Sequence, residues 1–313
     1  VAAGLYNRQC AGVIALTGDD HVNLTIALTS KLLAPVLPVI CRAESHDAQA
    51  NIASFGTETI INPFDTFAER FAMMFQSPSM YLVYEWMTSL HKTPLTEFAA
   101  PPRGTWILCG YGRFGKALQK SLSFKGIQTI IVESNPEGTQ APEGVIKGRG
   151  TEAITLHEAG IEQADGLIAG TNDDANNLSI IMTALHLNKD LFTVSRQNIS
   201  GNDAIFAAAN IDITMHPGRL IGKQVVDMLT TPLLTDFLRM ANLQNEEWAN
   251  VLVSRVVGVL TSRPPESWAL TISTKQTPAV TQLLKRGGTV TVQDLLMDPR
   301  DTATPLPGVA LYL

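Results

Sequence analysis

Residues 13–24, VIALTGDDHVNL, return at residues 167–178 as LIAGTNDDANNL, keeping Ile, Ala, Thr, Asp, Asp, Asn and Leu in place. The offset is constant, 171 − 17 = 154, and runs without a gap through Arg42 and Arg196 to Pro63 and Pro217. A match of that length is half a domain rather than one loop, so the chain carries a duplicated domain. In both copies an apolar run, GVIALT or GLIAG, stops at small and acidic residues and leads into an amphipathic segment. That pattern is a buried parallel strand feeding a loop and a helix.

Outward from the repeat, VLPVICR reads as the next strand, AESHDAQANIASFG as a helix closed by glycine, and TIINP as a short strand stopped by Pro63. Strict alternation of strand and helix implies a parallel sheet with right-handed crossovers and helices on both faces. Residues 66–90 (TFAERFAMMFQSPSMYLVYEWMTSL) are amphipathic and rich in Phe, Met, Tyr and Trp, with a break at Ser77 and Pro78. Helix, break, helix is expected, and the stripe reads as core packing or a dimer seam, with Met as adaptable filler.

The second copy opens with WILCGYGRFGKALQKSLSFKGIQTIIVES (106–134), a strand, glycine turn, helix and strand with no counterpart ahead of Val13. The first copy is therefore expected to lack its front half, and the chain, which starts at Val1 without an initiator Met, to be a fragment cut inside its first domain. The expected division is 1–90 for the truncated first domain and its crossover helices, and 91–104 for a polar, proline-bearing linker. A complete second domain follows at 105–240, and a small C-terminal lobe at 241–313. In that lobe the runs VLVSRVVGV, WALTIST, GTVTVQDLL and GVALYL, separated by Pro and Gly, suggest β-rich or α+β structure. The fold class is α/β, a duplicated doubly wound parallel sheet of Rossmann type with this lobe appended.

Composition fits: the chain is 45% hydrophobic and 17% charged, and a formal charge of −6 argues against a general binder of nucleic-acid backbones. Cys10, Cys41 and Cys109 are scattered, with no CxxC and no His at metal-ligand spacing, so neither a disulfide framework nor a zinc site is expected and a reducing compartment fits. The apolar stretch IALTSKLLAPVLPVI is broken by Lys31, Pro35 and Pro38 and is too interrupted to span a bilayer.

Gly110, Gly112 and Gly115 form GxGxxG directly after the strand TWILC and before a helix, the context in which the motif carries meaning. The first glycine permits a tight turn, the second lets backbone approach a pyrophosphate, and the third allows close helix–strand packing. The helix start then offers free N–H groups to phosphate. Glu133 ends the strand TIIVE, 133 − 112 = 21 residues past the middle glycine. An acid there accepts ribose hydroxyls and repels a 2′-phosphate, which favours NAD(H) or an adenosine nucleotide; the alternative is a solvated strand-end charge.

Thr171, Asn172, Asp173 and Asp174 follow GLIAG at the ligand-binding edge, with Asp173 either a helix cap or a ligand contact. Arg113, inside the glycine loop, reads as a reach toward terminal phosphates or a neighbouring subunit, or as a plain surface residue. Arg196 ends a buried strand and faces the pocket or makes a structural salt bridge. No GxSxG, Walker lysine motif or HExxH occurs, and the six His are scattered.

Taken together, WILCGYGRFGKAL, IIVES, KGRGT, HEAGI, ADGLIAGTNDDANNL and Arg196 resemble the RCK/KTN (TrkA-N-like) domains that regulate potassium channels and transporters. The resemblance is complete for residues 105 to about 230 and covers only a back half from 10 to about 75. It implies a non-enzymatic domain that binds NAD(H), or ATP or ADP, and forms a homodimer or higher oligomer such as an octameric ring. It also implies coupling of nucleotide binding to a membrane pore, expected upstream in the same polypeptide on the cytoplasmic side of the membrane. By that likeness Gly110, Gly112, Arg113 and Gly115 hold phosphates, Glu133 the ribose, and Thr151, Thr171, Asn172 and Asp173 the adenosine neighbourhood. Phe114, Ser134, Gly150 and Arg196 complete the expected binding set. Many members carry Asp where this chain has Arg149. The rivals are a Rossmann-type NAD-dependent oxidoreductase and a dimerisation domain that binds nothing.

Overall fold

The computed structural model describes residues 4–5, 10–57, 59–88, 100–260, 272–291, 297–298 and 301–305. In the first copy β1 (Val13–Ala15), α1 (Asp20–Leu33), β2 (Val39–Arg42), α2 (His46–Ser54) and β3 (Thr59–Ile61) alternate as expected. α3 (Pro63–Gln76) and α4 (Pro78–Thr88) follow, broken at Ser77. The second copy begins with β4 (Thr105–Cys109), α5 (Arg113–Phe124), β5 (Gln128–Glu133), α6 (Pro136–Thr139), β6 (Ile146–Lys147) and α7 (Ala153–Glu158). Its back half is β7 (Gly166–Ala169), α8 (Asp174–Leu187), β8 (Phe192–Arg196), α9 (Asp203–Ala208), β9 (Ile213–Met215), α10 (Pro217–Thr230) and α11 (Pro232–Ala241). The duplication extends past Pro217: α10 starts and ends 154 residues after α3, and the break at Ser77–Pro78 recurs at Thr231–Pro232.

The strands of the second copy form one parallel sheet in the order β6-β5-β4-β7-β8-β9, and those of the first form β1-β2-β3, the counterpart of β7-β8-β9. Two right-handed halves wound outward from β4 leave a crevice between β4 and β7, where crossovers depart to opposite sides. β4 and β7 are buried almost throughout, as a central strand covered on both faces must be.

Two units cluster along the chain, Val1–Gln76 with Ala100–Val225, and Ser77–Ala99 with Val226–Leu313. In the first unit the aromatic face of α3 packs on α5 and β4. Phe64 and Phe67 meet the Phe114 ring at 5.7 and 5.6 Å between centroids, and Phe71 and Phe75 meet Trp106 edge-on at 5.3 and 5.5 Å. Each such ring contributes roughly 1.5–3 kcal/mol by burial. In α3 the aromatic stripe is thus packing, between the two copies of one chain.

In the second unit α4 packs on α12 (Glu246–Leu260). The Glu246 carboxylate accepts from Ser77 Oγ and Ser79 N, and Asn250 Oδ1 accepts from Ser79 Oγ. α12 corrects one expectation: VLVSRVVGV (251–259) is helix, not strand. Its buried residues Ala249, Leu252 and Val256 recur at helical spacing while Val251 and Val257 face solvent, so packing overrides the β-branched propensity. α13 (Pro278–Lys285) and an antiparallel pair, β10 (Met297–Asp298) with β11 (Asp301–Pro305), complete the described residues. Residues 91–99 of the expected linker, most of WALTIST, the end of GTVTVQDLL and GVALYL lie outside them. Among the described residues no helix is long and apolar enough to cross a membrane.

Candidate functional site

At the carboxyl ends of β6, β5, β4 and β7 the loops enclose a cleft of about 280 Å³, at the switch point where open α/β sheets take their ligands. Its floor is the glycine turn. Gly110 has φ +99°, a conformation that L side chains rarely adopt. A Cβ on Gly115 would stand 2.1 Å from the Gly110 carbonyl oxygen, so α5 can approach β4 only with glycine there. At Gly112 a Cβ would meet nothing within 4 Å, and this residue caps α5 without any side-chain bond. Gly112 itself lines the cleft, at the start of a helix whose first amides have no side-chain cap and whose partial positive charge lies behind it.

Glu133 closes one side. It is buried, and its carboxylate accepts from Tyr111 N at 2.6 Å, Asn135 N at 2.8 Å and Ser134 Oγ at 3.1 Å. The acid braces the glycine turn against the end of β5 and still lines the cleft. Beside it the turn after β6 contributes Gly148, Arg149, Gly150 and Thr151. Arg149 is exposed and carries the one guanidinium among the lining residues.

The opposite side is the turn after β7. Thr171 is fixed by Asn177, which is fully buried: Asn177 Oδ1 accepts from Thr171 N at 2.9 Å and Oγ1 at 2.7 Å, and its Nδ2 donates to Thr171 O at 3.0 Å and Arg196 O at 2.7 Å. The first copy repeats this bond for bond, with Asn23 holding Thr17 and the Arg42 carbonyl. Asp174 anchors the next layer, accepting from Asn198 N and Nδ2, Ile199 N and Asn202 Nδ2, as Asp20 accepts from Glu44 N and Ser45. Burial would raise the Asp174 pKa, but these donors outweigh it and hold the carboxyl below its usual range.

The expected residues divide. Gly110, Gly112, Glu133, Ser134, Gly150, Thr151, Thr171 and Asn172 line the cleft. Arg113, Phe114, Gly115, Asp173 and Arg196 do not. Phe114 is core beneath α3, and Asp173 is the N-cap of α8, accepting from Asn176 N. Arg113 ion-pairs with Glu44 of the first copy. Arg196 donates from Nη1 to Asn172 Oδ1 at 2.7 Å and lies 4.6 Å over the Phe64 ring; among the described residues it has no salt bridge, and it supports the cleft wall from behind. Burial lowers its pKa to about 10. Asn176, Ile180 and Thr139 line the cleft unanticipated. The structural pair Asn23 and Asn177, however, stood in the opening repeat as a matched polar residue inside a helix.

Chemically, the cleft combines open glycine backbone at a helix start, a buried carboxylate acceptor beside it, one cation and several amides. That set suits a ligand with a diphosphate next to a diol. Among the described residues, one hydroxyl elsewhere sits beside a histidine: Ser200 Oγ lies 3.0 Å from His216 Nε2. His216 Nδ1 accepts from Arg219 N, which puts the neutral ring's proton on Nε2 and leaves it unable to take the serine proton.

The chain matches the TrkA-N domain model over residues 5–63 and 106–217. Potassium channel protein 1 of Methanocaldococcus jannaschii is 27% identical over 139 residues, covering 42% of this chain and 42% of that protein. A Trk system potassium uptake protein TrkA homolog of Pyrococcus abyssi is 31% identical over 137 residues, covering 40% of this chain and 60% of that one. The aligned part thus falls short of two thirds of either relative. Among solved structures the GsuK RCK domain superposes with a TM-score of 0.55 at 19% identity, covering 73% of this chain and 64% of that chain. The GsuK channel bound to NAD does so with the same score and identity over 73% and 54%. The double match to one domain model, separated by α3, α4 and the linker, is the duplication seen in the opening repeat, and the chain belongs to the TrkA-N domain family.

Proposed function

We propose that this chain is a nucleotide-sensing regulatory region of a potassium channel or potassium transporter, and that its second copy binds NAD(H), ADP or ATP. The observation that carries the reading is the open backbone at Gly112 and the buried carboxylate of Glu133 lining one cleft. The names of the relatives, potassium channel and TrkA proteins, supply the physiological side, and solved GsuK structures bound to ADP and to NAD supply the ligand class. Gly112 and the first amides of α5 would hold the pyrophosphate, Glu133 the ribose hydroxyls, and the turns after β6 and β7 the flanking groups.

Regulation then follows from differential affinity. A ligand that prefers one arrangement of the loops around β4 and β7 shifts the population toward it by the ratio of its two affinities. The cleft wall reaches the first copy physically, through Asn172, Arg196 and Phe64, so a shift at the nucleotide is felt where the copies pack. The reading carries no turnover. It places the chain on the cytoplasmic side of a membrane, oligomeric, and joined to a pore.

Calorimetric titration with NADH, NAD, ADP and ATP tests it, repeated on Gly112→Asp. Saturable binding that the aspartate abolishes supports the reading. A folded chain that takes no nucleotide overturns it in favour of a dimerisation domain, and turnover of NADH with a substrate would favour an oxidoreductase.

A further inference from the structure

The turn after β6 is tied to the acid that ends β5. Gly148 N donates to Glu133 O at 3.1 Å, and Arg149 is the next residue. The turn lies close on the core at both of its glycines. A Cβ on Gly148 would stand 2.7 Å from the Thr155 side chain, and one on Gly150 2.6 Å from Cys109 Sγ. Arg149, between them, is exposed and lines the cleft, and among the described residues its guanidinium has no hydrogen bond or ion pair. Arg113 and Arg196, by contrast, are both engaged. A free, planar, donor-only group on a turn held from beneath is suited to an anion, above all to a phosphate.

Glu133 itself has limited capacity left. Tyr111 N, Asn135 N and Ser134 Oγ already donate to its carboxylate, which fills three of its roughly four acceptor positions, and two of those donors are backbone amides that compensate its charge. With pyrophosphate on Gly112 at β4 and ribose on Glu133 at β5, the sheet order puts β6 and Arg149 on the far side of the ribose. An acid alone at the end of β5 disfavours a 2′-phosphate, whereas an arginine nearby accommodates one. The lining residues hold both, one carboxylate and one guanidinium, so their charges cancel beside the ribose. Resting on the nucleotide reading above, we infer that Arg149 opens this cleft to 2′-phosphorylated dinucleotides, so that NADP(H) binds as well as NAD(H).

The test compares NADPH with NADH, and adenosine 2′,5′-bisphosphate with ADP, by calorimetry on wild type, Arg149→Ala and Arg149→Lys. The second pair carries equal numbers of phosphates, so it separates the position of a phosphate from the total charge. Wild type should bind NADPH within about tenfold of NADH. Arg149→Ala should weaken NADPH relative to NADH, and the bisphosphate relative to ADP, by on the order of tenfold, the loss of one charge-assisted contact. Arg149→Lys should recover part of that loss, as a point charge without the planar fork. The side chain is exposed, so these variants should fold as wild type does. An NADPH to NADH ratio that Arg149→Ala leaves unchanged, whether both affinities hold or both fall together, overturns the inference. So does a wild type that binds NADPH more than about tenfold more weakly than NADH. Absence of all nucleotide binding defeats the functional reading instead.

Discussion

Replacing Asn177 with Leu removes the amide that ties the β7 turn to β8 while keeping side-chain volume close to native. The side chain is fully buried and makes four hydrogen bonds, to Thr171 N, Oγ1 and O and to Arg196 O. Thr171 O keeps a second donor in Asn198 Nδ2, and the Thr171 hydroxyl keeps the Asp173 carbonyl. The Thr171 N–H loses its partner, and the Arg196 carbonyl retains only a 3.5 Å contact from Ser195 Oγ. Stranding one buried carbonyl and one half-buried N–H at about 1–3 kcal/mol each gives an expected loss of about 3 kcal/mol, a large share of the ~5–15 kcal/mol typical of a domain. Urea unfolding followed by far-UV circular dichroism measures it. Asn23→Leu provides an internal replicate, because the first copy makes the same four bonds. A cost below about 1 kcal/mol at both positions would refute the claim that these amides hold the loops, since that is no more than one ordinary hydrogen bond contributes.

Gly115→Ala should cost about 3 kcal/mol by overpacking, because its Cβ would overlap the Gly110 carbonyl, whereas Gly112→Ala, into open space, should cost less than about 1 kcal/mol in thermal unfolding. Equal costs would mean that the two glycines do not play different parts. On the alkaline side, burial pushes the Cys109 thiol up to about 12 and the Cys41 thiol up to about 11. Folding keeps both neutral where the unfolded chain ionises them, so their stabilisation is complete below about pH 8.5 and is lost as pH rises beyond it, by up to ~1.4 kcal/mol per unit for each thiol. Cys109→Ala should flatten the dependence of the urea midpoint between pH 8.5 and 10.5; an unchanged slope would show that burial of this thiol is incomplete. The Asp174 carboxyl runs the other way. Its contribution is full above the ordinary aspartate range and fades as pH falls through its lowered value, so Asp174→Asn should lessen acid sensitivity as measured by the same midpoints.

What could be read ahead of the structure depended on locality. The strands follow from short continuous apolar runs and the helices from a period of 3.6, and the 154-residue offset carried them from one copy to the other. The break at Ser77–Pro78 was visible because proline interrupts a helical stripe, and its recurrence at Thr231–Pro232 would have been found by extending the same offset. VLVSRVVGV misled because β-branched content outweighed the weaker spacing of Ala249, Leu252 and Val256, which becomes decisive only when α4 is present to pack on. At the site, the glycine turn, Glu133 and the β7 turn were legible because each lies at a strand end. The destination of Arg113 was not, since Glu44 is 69 residues away along the chain and meets it only once α3 of one copy packs on α5 of the other.

The most direct test of the central claim is the structure of this chain crystallised with NADH. The account predicts the pyrophosphate against the amides that follow Gly112 and the ribose hydroxyls on Glu133, with the dinucleotide running from the β6 turn to Asn172. A nucleotide bound elsewhere on the chain, or a cleft left empty at saturating NADH, would contradict it.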